Sequence, residues 1–191
     1  MKLIDISSDE EKTRSVYRVL AIIASIVIIG TGSYGVVAAS QLGVEVVGET
    51  LVTIEFPPLE GFPLYKPKPV TWLMSALFVL AYTGLNLNRK LISTFPPFLL
   101  QSLKLFSLFV VVLAVYEIFF NFTLWGSLMA ADQLRGQLNP DILTNPFPLQ
   151  TVQWNLVFAT KMFTLITAVS LYFYYFLQRL VPAKRKGMNE T

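Results

Sequence analysis

Residues 30–35, GTGSYG, match the pattern G-x-G-x-x-G, which binds dinucleotide phosphates where it joins a strand to a helix. Glu49 follows Gly30 at about the distance, roughly 20 residues, at which such sites hold a ribose-binding acid. The surrounding sequence argues against this chemistry, because residues 19–29 form an apolar run too long for one strand and no further strand–helix units follow. We therefore expect no nucleotide binding, and we interpret the glycines as packing residues of a membrane helix.

Small residues recur along the same stretch at spacings that place them near one another on a helix. They are Ala21, Ser25, Gly32, Gly35 and Ala39. Small side chains let the backbones of membrane helices approach closely, so this stripe is the predicted helix-packing face.

Cysteine and histidine are both absent from the 191-residue chain. The chain therefore has no thiolate or imidazole ligand for zinc, copper or haem, and no imidazole for acid–base catalysis near neutral pH. The carboxylates are sparse, and those of the first loop match no calcium-binding loop. We predict no catalytic residue, no metal site, no cofactor and no enzymatic activity.

Two residues of opposite charge interrupt long apolar stretches, namely Glu117 and Lys161. A charge near the bilayer centre costs about 2.5–3.5 kcal/mol, so each is expected to have a partner. Counting inward from Trp125 and Trp154 puts the two charges at similar depths, and Asn121 lies on the Glu117 face of the helix. The sequence therefore predicts a Glu117–Lys161 ion pair whose hydrogen bonding Asn121 completes.

This pair has three interpretations. The favoured one is a structural clasp that fixes the register of two helices. The second is pairing with charges on another subunit. The third is transport, with Glu117 as a proton or substrate site, but a proton relay needs a chain of titratable groups or a water path, and this chain has no histidine.

Four long apolar segments would have to position these residues. Hydrophobic residues make up 54% of the chain and charged residues only 14%, against about 25% charged residues in soluble domains. Each segment has the roughly 20 residues that a helix needs to cross the hydrocarbon core. The segments are residues 19–40, 69–88, 105–131 and 152–178. The predicted fold class is an all-α integral membrane protein with four transmembrane helices in one domain, residues 1–191.

The distribution of basic residues predicts the orientation. Most lysines and arginines lie near the termini or in the loop between the second and third spans. The exceptions are Lys66, Lys68 and Arg135 in the other two loops and Lys161 within a span. The positive-inside rule then places both termini in the cytoplasm, in a multi-pass protein of the plasma membrane. This topology gives a cytoplasmic leader at 1–15, extracytoplasmic loops at 41–68 and 132–151, and a basic cytoplasmic tail at 180–191.

The positions of the tryptophans support the same orientation independently of the basic residues. Trp72, Trp125 and Trp154 would all lie at the outer interface, where an aromatic belt is expected. Tyr82 and Thr83, inside the second span, are expected to be packing residues rather than ligands.

The first outer loop contains VEVVGETLVTIE, residues 44–55. Its β-branched residues and its Gly-Glu turn predict a small β-hairpin.

The net charge of the chain, +3, is too small to indicate binding to nucleic acid.

Two function classes remain. The first is a non-catalytic accessory subunit of a multi-subunit membrane complex, for example an oxidase, oxygenase or transport assembly, with the lipid bilayer and other membrane subunits as partners. The second is a small homo-oligomeric transporter or channel that uses Glu117 as an intramembrane site, although the two halves of the chain show no inverted repeat. A membrane protein that binds soluble partners through the outer hairpin is a third possibility.

Overall fold

The computed structural model describes residues 6–43, 47–54, 68–134 and 154–188, and within these residues the chain is all-helical. The helices are α1 (Ile6–Leu42), α2 (Val47–Thr53), α3 (Pro69–Leu87), α4 (Arg89–Ser93), α5 (Pro97–Leu134) and α6 (Trp154–Met188). The four long helices α1, α3, α5 and α6 each contain a stretch long and apolar enough to cross a membrane. The prediction of an all-helical chain with four potential spans is therefore confirmed.

The long helices extend beyond the apolar segments in three of the four cases. α1 begins at Ile6, α5 begins at Pro97, and α6 continues to Met188 through much of the segment predicted as a tail. Proline suits the first turn of a helix because its missing N–H would have no partner there, and α3 also begins with a proline, Pro69. A proline, rather than the onset of the apolar segment, therefore marks the beginning of α5.

The long helices pack in the order α1, α3, α6, α5. α1 packs along α3, α5 packs along α6, and a contact between α3 and α6 joins the two pairs. The two outer helices of this row, α1 and α5, carry most of the exposed large apolar side chains of the described residues. Such surfaces are what a lipid-facing or subunit-facing helix presents.

Two buried clusters lie at opposite ends of the long helices, along the helix axes. One consists of Leu100, Phe176, Leu177 and Leu180, where α5 begins and the apolar part of α6 ends. The other joins Leu51 and Val52 of α2 to Val70 in the first turn of α3, with Val157 and Phe158 of α6 packed against them.

The hairpin predicted for residues 44–55 is wrong where the structure describes it. Residues 47–53 form the helix α2, while residues 44–46 and 55 lie outside the described part of the chain. Three consecutive side chains of α2 are buried, those of Thr50, Leu51 and Val52. β-Propensity is a weak, context-dependent preference, and burial against three neighbouring helices overrides it here.

Two glycines allow α2 to pack so closely. A Cβ atom at Gly35 of α1 would lie 2.6 Å from Leu51 Cδ2 and 3.2 Å from Val47 Cγ1. A Cβ atom at Gly48 of α2 would lie 2.8 Å from the ring of Phe158 on α6. The short helix therefore fits between α1 and α6 only because both positions lack a side chain.

Candidate functional site

The face of α5 that packs against α6 repeats every seven residues. Its buried positions are Leu100, Ser107, Ala114 and Asn121. A seven-residue repeat of buried positions is the geometry of a coiled-coil seam, in which one helix keeps the same face toward its neighbour over several turns. The seam is apolar or small at three positions and ends on a carboxamide, Asn121.

Two contacts fix the antiparallel register of α5 and α6. Lys104 Nζ lies 5.1 Å from the centroid of the Tyr174 ring, and Ser107 Oγ donates a hydrogen bond of 3.2 Å to the carbonyl oxygen of Ser170. Following this register along both helices brings Glu117 to the level of Lys161, as the sequence predicted. The seam residue Asn121 then falls one helical turn nearer the Trp125 end.

A cavity of about 240 Å³ lies between α5 and α6 at this level. It is lined by Asn121, Phe122, Trp125, Leu156, Val157, Thr160 and Lys161. The structure thus brings two residues of the predicted constellation, Asn121 and Lys161, to one cavity. Glu117 is half-buried on α5 and is not part of the lining.

Asn121 is the most unusual polar residue of this cavity. Its side chain is only 6% exposed, and its Nδ2 atom has no hydrogen-bond partner. A buried amide without a partner costs on the order of 1–3 kcal/mol, so a group that accepts its hydrogen bond would stabilise the site. Thr160 lines the same cavity, but its hydroxyl donates to the carbonyl oxygen of Leu156 within its own helix, and its oxygen is not a partner of Asn121 Nδ2.

The predicted ion pair is not observed. Over the residues that the structure describes, neither Glu117 nor Lys161 forms an ion pair or a hydrogen bond. The two charges share a level but not a contact, and of the polar residues at this level of α5 it is Asn121 that is buried, whereas Glu117 is half-buried. The Glu117–Lys161 ion pair thus remains a prediction from the sequence that no observed contact supports.

A second polar cluster lies toward the other end of the long helices and combines residues of α1, α3 and α6. Asn86 Nδ2 donates to the hydroxyl oxygen of Tyr172 at 2.7 Å and to the carbonyl oxygen of Tyr82 at 2.8 Å. The Tyr82 ring centroid lies 4.8 Å from that of Tyr172 and 5.9 Å from that of Tyr17. Sequence reasoning did not single out Asn86, although an amide near the end of an apolar span was a usable signal.

Thr83 has no free donor. It is fully buried, and its hydroxyl lies within hydrogen-bonding distance of the carbonyl oxygens of Val79 and Leu80 in the preceding turn. Together with the ring contacts of Tyr82, this places both residues in packing positions.

The GTGSYG segment lies inside α1 as continuous helix. The dinucleotide fingerprint needs a tight turn between a strand and a helix, and residues 30–35 have none. Of the predicted packing stripe, Gly35 and Ala39 are buried, whereas Ala21, Ser25 and Gly32 are half-buried. A Cβ atom at Gly32 would meet nothing within 4 Å.

The described residues hold no group of three or more aspartates or glutamates that could bind a metal ion. No family model matches the chain, and no curated protein or solved structure shows significant similarity to it. The arrangement of residues therefore carries the functional argument alone.

Proposed function

We propose that this chain is a non-catalytic accessory subunit of a larger membrane complex, embedded in the plasma membrane with both termini in the cytoplasm. The observation that carries the proposal is Glu117, a half-buried acid within a candidate span that has no ion-pair or hydrogen-bond partner among the described residues. An unpaired charge at this depth is costly, and a cationic or hydrogen-bonding residue of a neighbouring subunit would offset that cost.

The surroundings of Glu117 support a subunit contact at this level of α5. Its neighbour Tyr116 is exposed and stacks on Phe120, which is exposed too, with ring centroids 6.3 Å apart. Phe119 is 68% exposed beside them. Tyr116, Phe119 and Phe120 thus give α5 an exposed aromatic surface at the level of Glu117, and aromatic residues are enriched at protein interfaces.

The other end of the row supports a second contact. α1 packs against α3 and the short helix α2, and its exposed residues include Ile22, Ile26 and Ile29. Gly30 and Gly32 have open space where a side chain would stand, so the backbone of another helix could approach there.

The proposed topology rests on the basic residues at the helix ends that would face the cytoplasm. Arg89 and Lys90 on α4 are exposed between α3 and α5, and Arg179 near the end of α6 covers the Tyr175 ring at 4.3 Å. Because an even number of crossings leaves both termini on one side, the four candidate spans support this topology, and the positive-inside rule favours the cytoplasmic side.

The test is purification of the tagged chain in a mild detergent, with native mass spectrometry of the product. We expect other membrane polypeptides at fixed stoichiometry, and we expect Glu117→Gln to lower their retention by about tenfold. Glu11→Gln, at an exposed acid outside the apolar stretch, is the matched control and should retain them.

An assembly that contains only copies of this chain would contradict the proposal. It would favour the second candidate, a homo-oligomeric transporter or channel, to which the same unpaired Glu117 also points. Loss of transport in Glu117→Gln proteoliposomes would then identify that activity.

A further inference from the structure

We propose that the cavity between α5 and α6 binds the oxyanion of a membrane amphiphile, a phospholipid phosphate or a fatty-acid carboxylate, through Lys161 and Asn121. The first step is the charge of the lining. Lys161 is the one ionisable residue among the seven that line the cavity, and it is a cation without an ion-pair partner in the described residues. An anion in the cavity would neutralise it in surroundings where an unpaired charge is expensive.

The second step is hydrogen bonding. The unpartnered carboxamide of Asn121, more than nine-tenths buried, lines the same cavity. A half-turn of the carboxamide about χ2 exchanges its nitrogen and oxygen, so its N–H groups can face an occupant. A positive charge beside an amide donor selects an acceptor, and a carboxylate or phosphate oxygen is the strongest one available in a membrane.

The third step is the apolar wall. Phe122, Leu156 and Val157 line the cavity, and Phe122 is 56% exposed, so the lining continues onto the apolar outer surface of α5. The cavity volume of about 240 Å³ suffices for a headgroup oxyanion but not for a whole lipid. The acyl chain of the ligand therefore lies outside, along the surface of the helices.

The fourth step is depth. Helical side chains tilt toward the N-terminus of their helix, so Lys161 reaches toward the start of α6. Trp125 lines the same cavity one turn from Asn121, and tryptophan favours the membrane–water interface. Lipid headgroup oxygens lie near that level, so the ligand need not bury its charge at the bilayer centre.

The test uses the full chain in a neutral detergent and three probes: palmitate, palmitoyl-oleoyl phosphatidylglycerol, and uncharged hexadecanol. Binding is followed by native mass spectrometry and by the shift in thermal unfolding temperature. We expect one equivalent of an anionic probe to bind, and hexadecanol to bind about tenfold more weakly or not at all. Palmitate alone identifies a carboxylate ligand, phosphatidylglycerol alone a phosphate ligand, and both together the shared oxyanion chemistry.

The variants separate this site from general attraction to cationic surfaces. Lys161→Met and Asn121→Leu should each weaken the anionic probe by about tenfold, whereas Lys161→Arg should retain it. Lys104→Met removes a cation of the same helix pair outside the cavity and should leave the affinity unchanged. Gel filtration shows whether Asn121→Leu folds. If it does not, the comparison of Lys161→Met with Lys161→Arg tests the proposal.

Three results would overturn the proposal. They are equal binding of hexadecanol and the anionic probes, wild-type affinity in Lys161→Met, and loss of binding in Lys104→Met that matches the loss in Lys161→Met.

Discussion

Gly35 of α1 and Leu51 of α2 lie so close that a Cβ atom on Gly35 would stand 2.6 Å from Leu51 Cδ2. Leu51 is only 3% exposed, so its side chain has little room to withdraw. This contact holds the short helix α2 against the long helix α1. Gly35, which is packed against α2, and Gly32, which is not, therefore form a matched pair for mutation.

Gly35→Ala is expected to destabilise the protein by about 1–3 kcal/mol, because overpacking a filled contact forces side chains or backbone to shift. Gly32→Ala, where an added Cβ meets nothing within 4 Å, is expected to be neutral or to stabilise by up to about 1 kcal/mol through helix propensity. Thermal or denaturant unfolding in detergent, followed by circular dichroism, measures both. Equal effects of the two substitutions would contradict the observed packing of α2.

Tyr172→Phe is expected to cost about 0.6 kcal/mol, an average value for a hydrogen bond between membrane helices. The loss stays small because Asn86 keeps its second hydrogen bond, to the carbonyl oxygen of Tyr82. Tyr175→Phe, at an exposed tyrosine of the same helix, is the control and should cost less. The unfolding free energies of both variants are measured in the same detergent. A larger loss for Tyr175→Phe than for Tyr172→Phe would show that the Asn86–Tyr172 hydrogen bond does not stabilise the packing of α3 against α6.

Glu117→Gln and Lys161→Met test whether the two intramembrane charges are coupled. The ion pair predicted from the sequence requires the double variant to recover part of the stability that each single variant loses. The structure, in which neither charge has a partner among the described residues, predicts that the two effects add within about 0.5 kcal/mol. Four unfolding free energies, from wild type, both single variants and the double variant, decide between these expectations.

Single cysteines can test the topology directly, because the natural chain has none. Lys12→Cys and Gln41→Cys lie at exposed positions near opposite ends of α1. A membrane-impermeant maleimide should label Gln41→Cys in intact cells and Lys12→Cys only after permeabilisation. The reverse pattern would show that the termini lie outside, against the distribution of basic residues.

The sequence alone determined that the chain has four long apolar helices, and the reason lies in the solvent. A backbone surrounded by lipid must satisfy its hydrogen bonds internally, so an uncharged stretch of about 20 residues has few structures other than a helix. Counting residues inward from tryptophan also placed Glu117 and Lys161 at one level, because the rise per residue of a helix is fixed.

Only the tertiary structure decided which side of each helix faces a neighbour. A helix that is apolar on all sides carries little information about its rotation, so the sequence could not show that Asn121 is buried while Glu117 is only half-buried. The same limit applies to α2. Its β-branched residues predict strands, but the structure shows a helix that fits closely against Gly35 of α1 and Phe158 of α6. Local preference is worth about 1 kcal/mol, and burial of Leu51 and Val52 against neighbouring helices outweighs it.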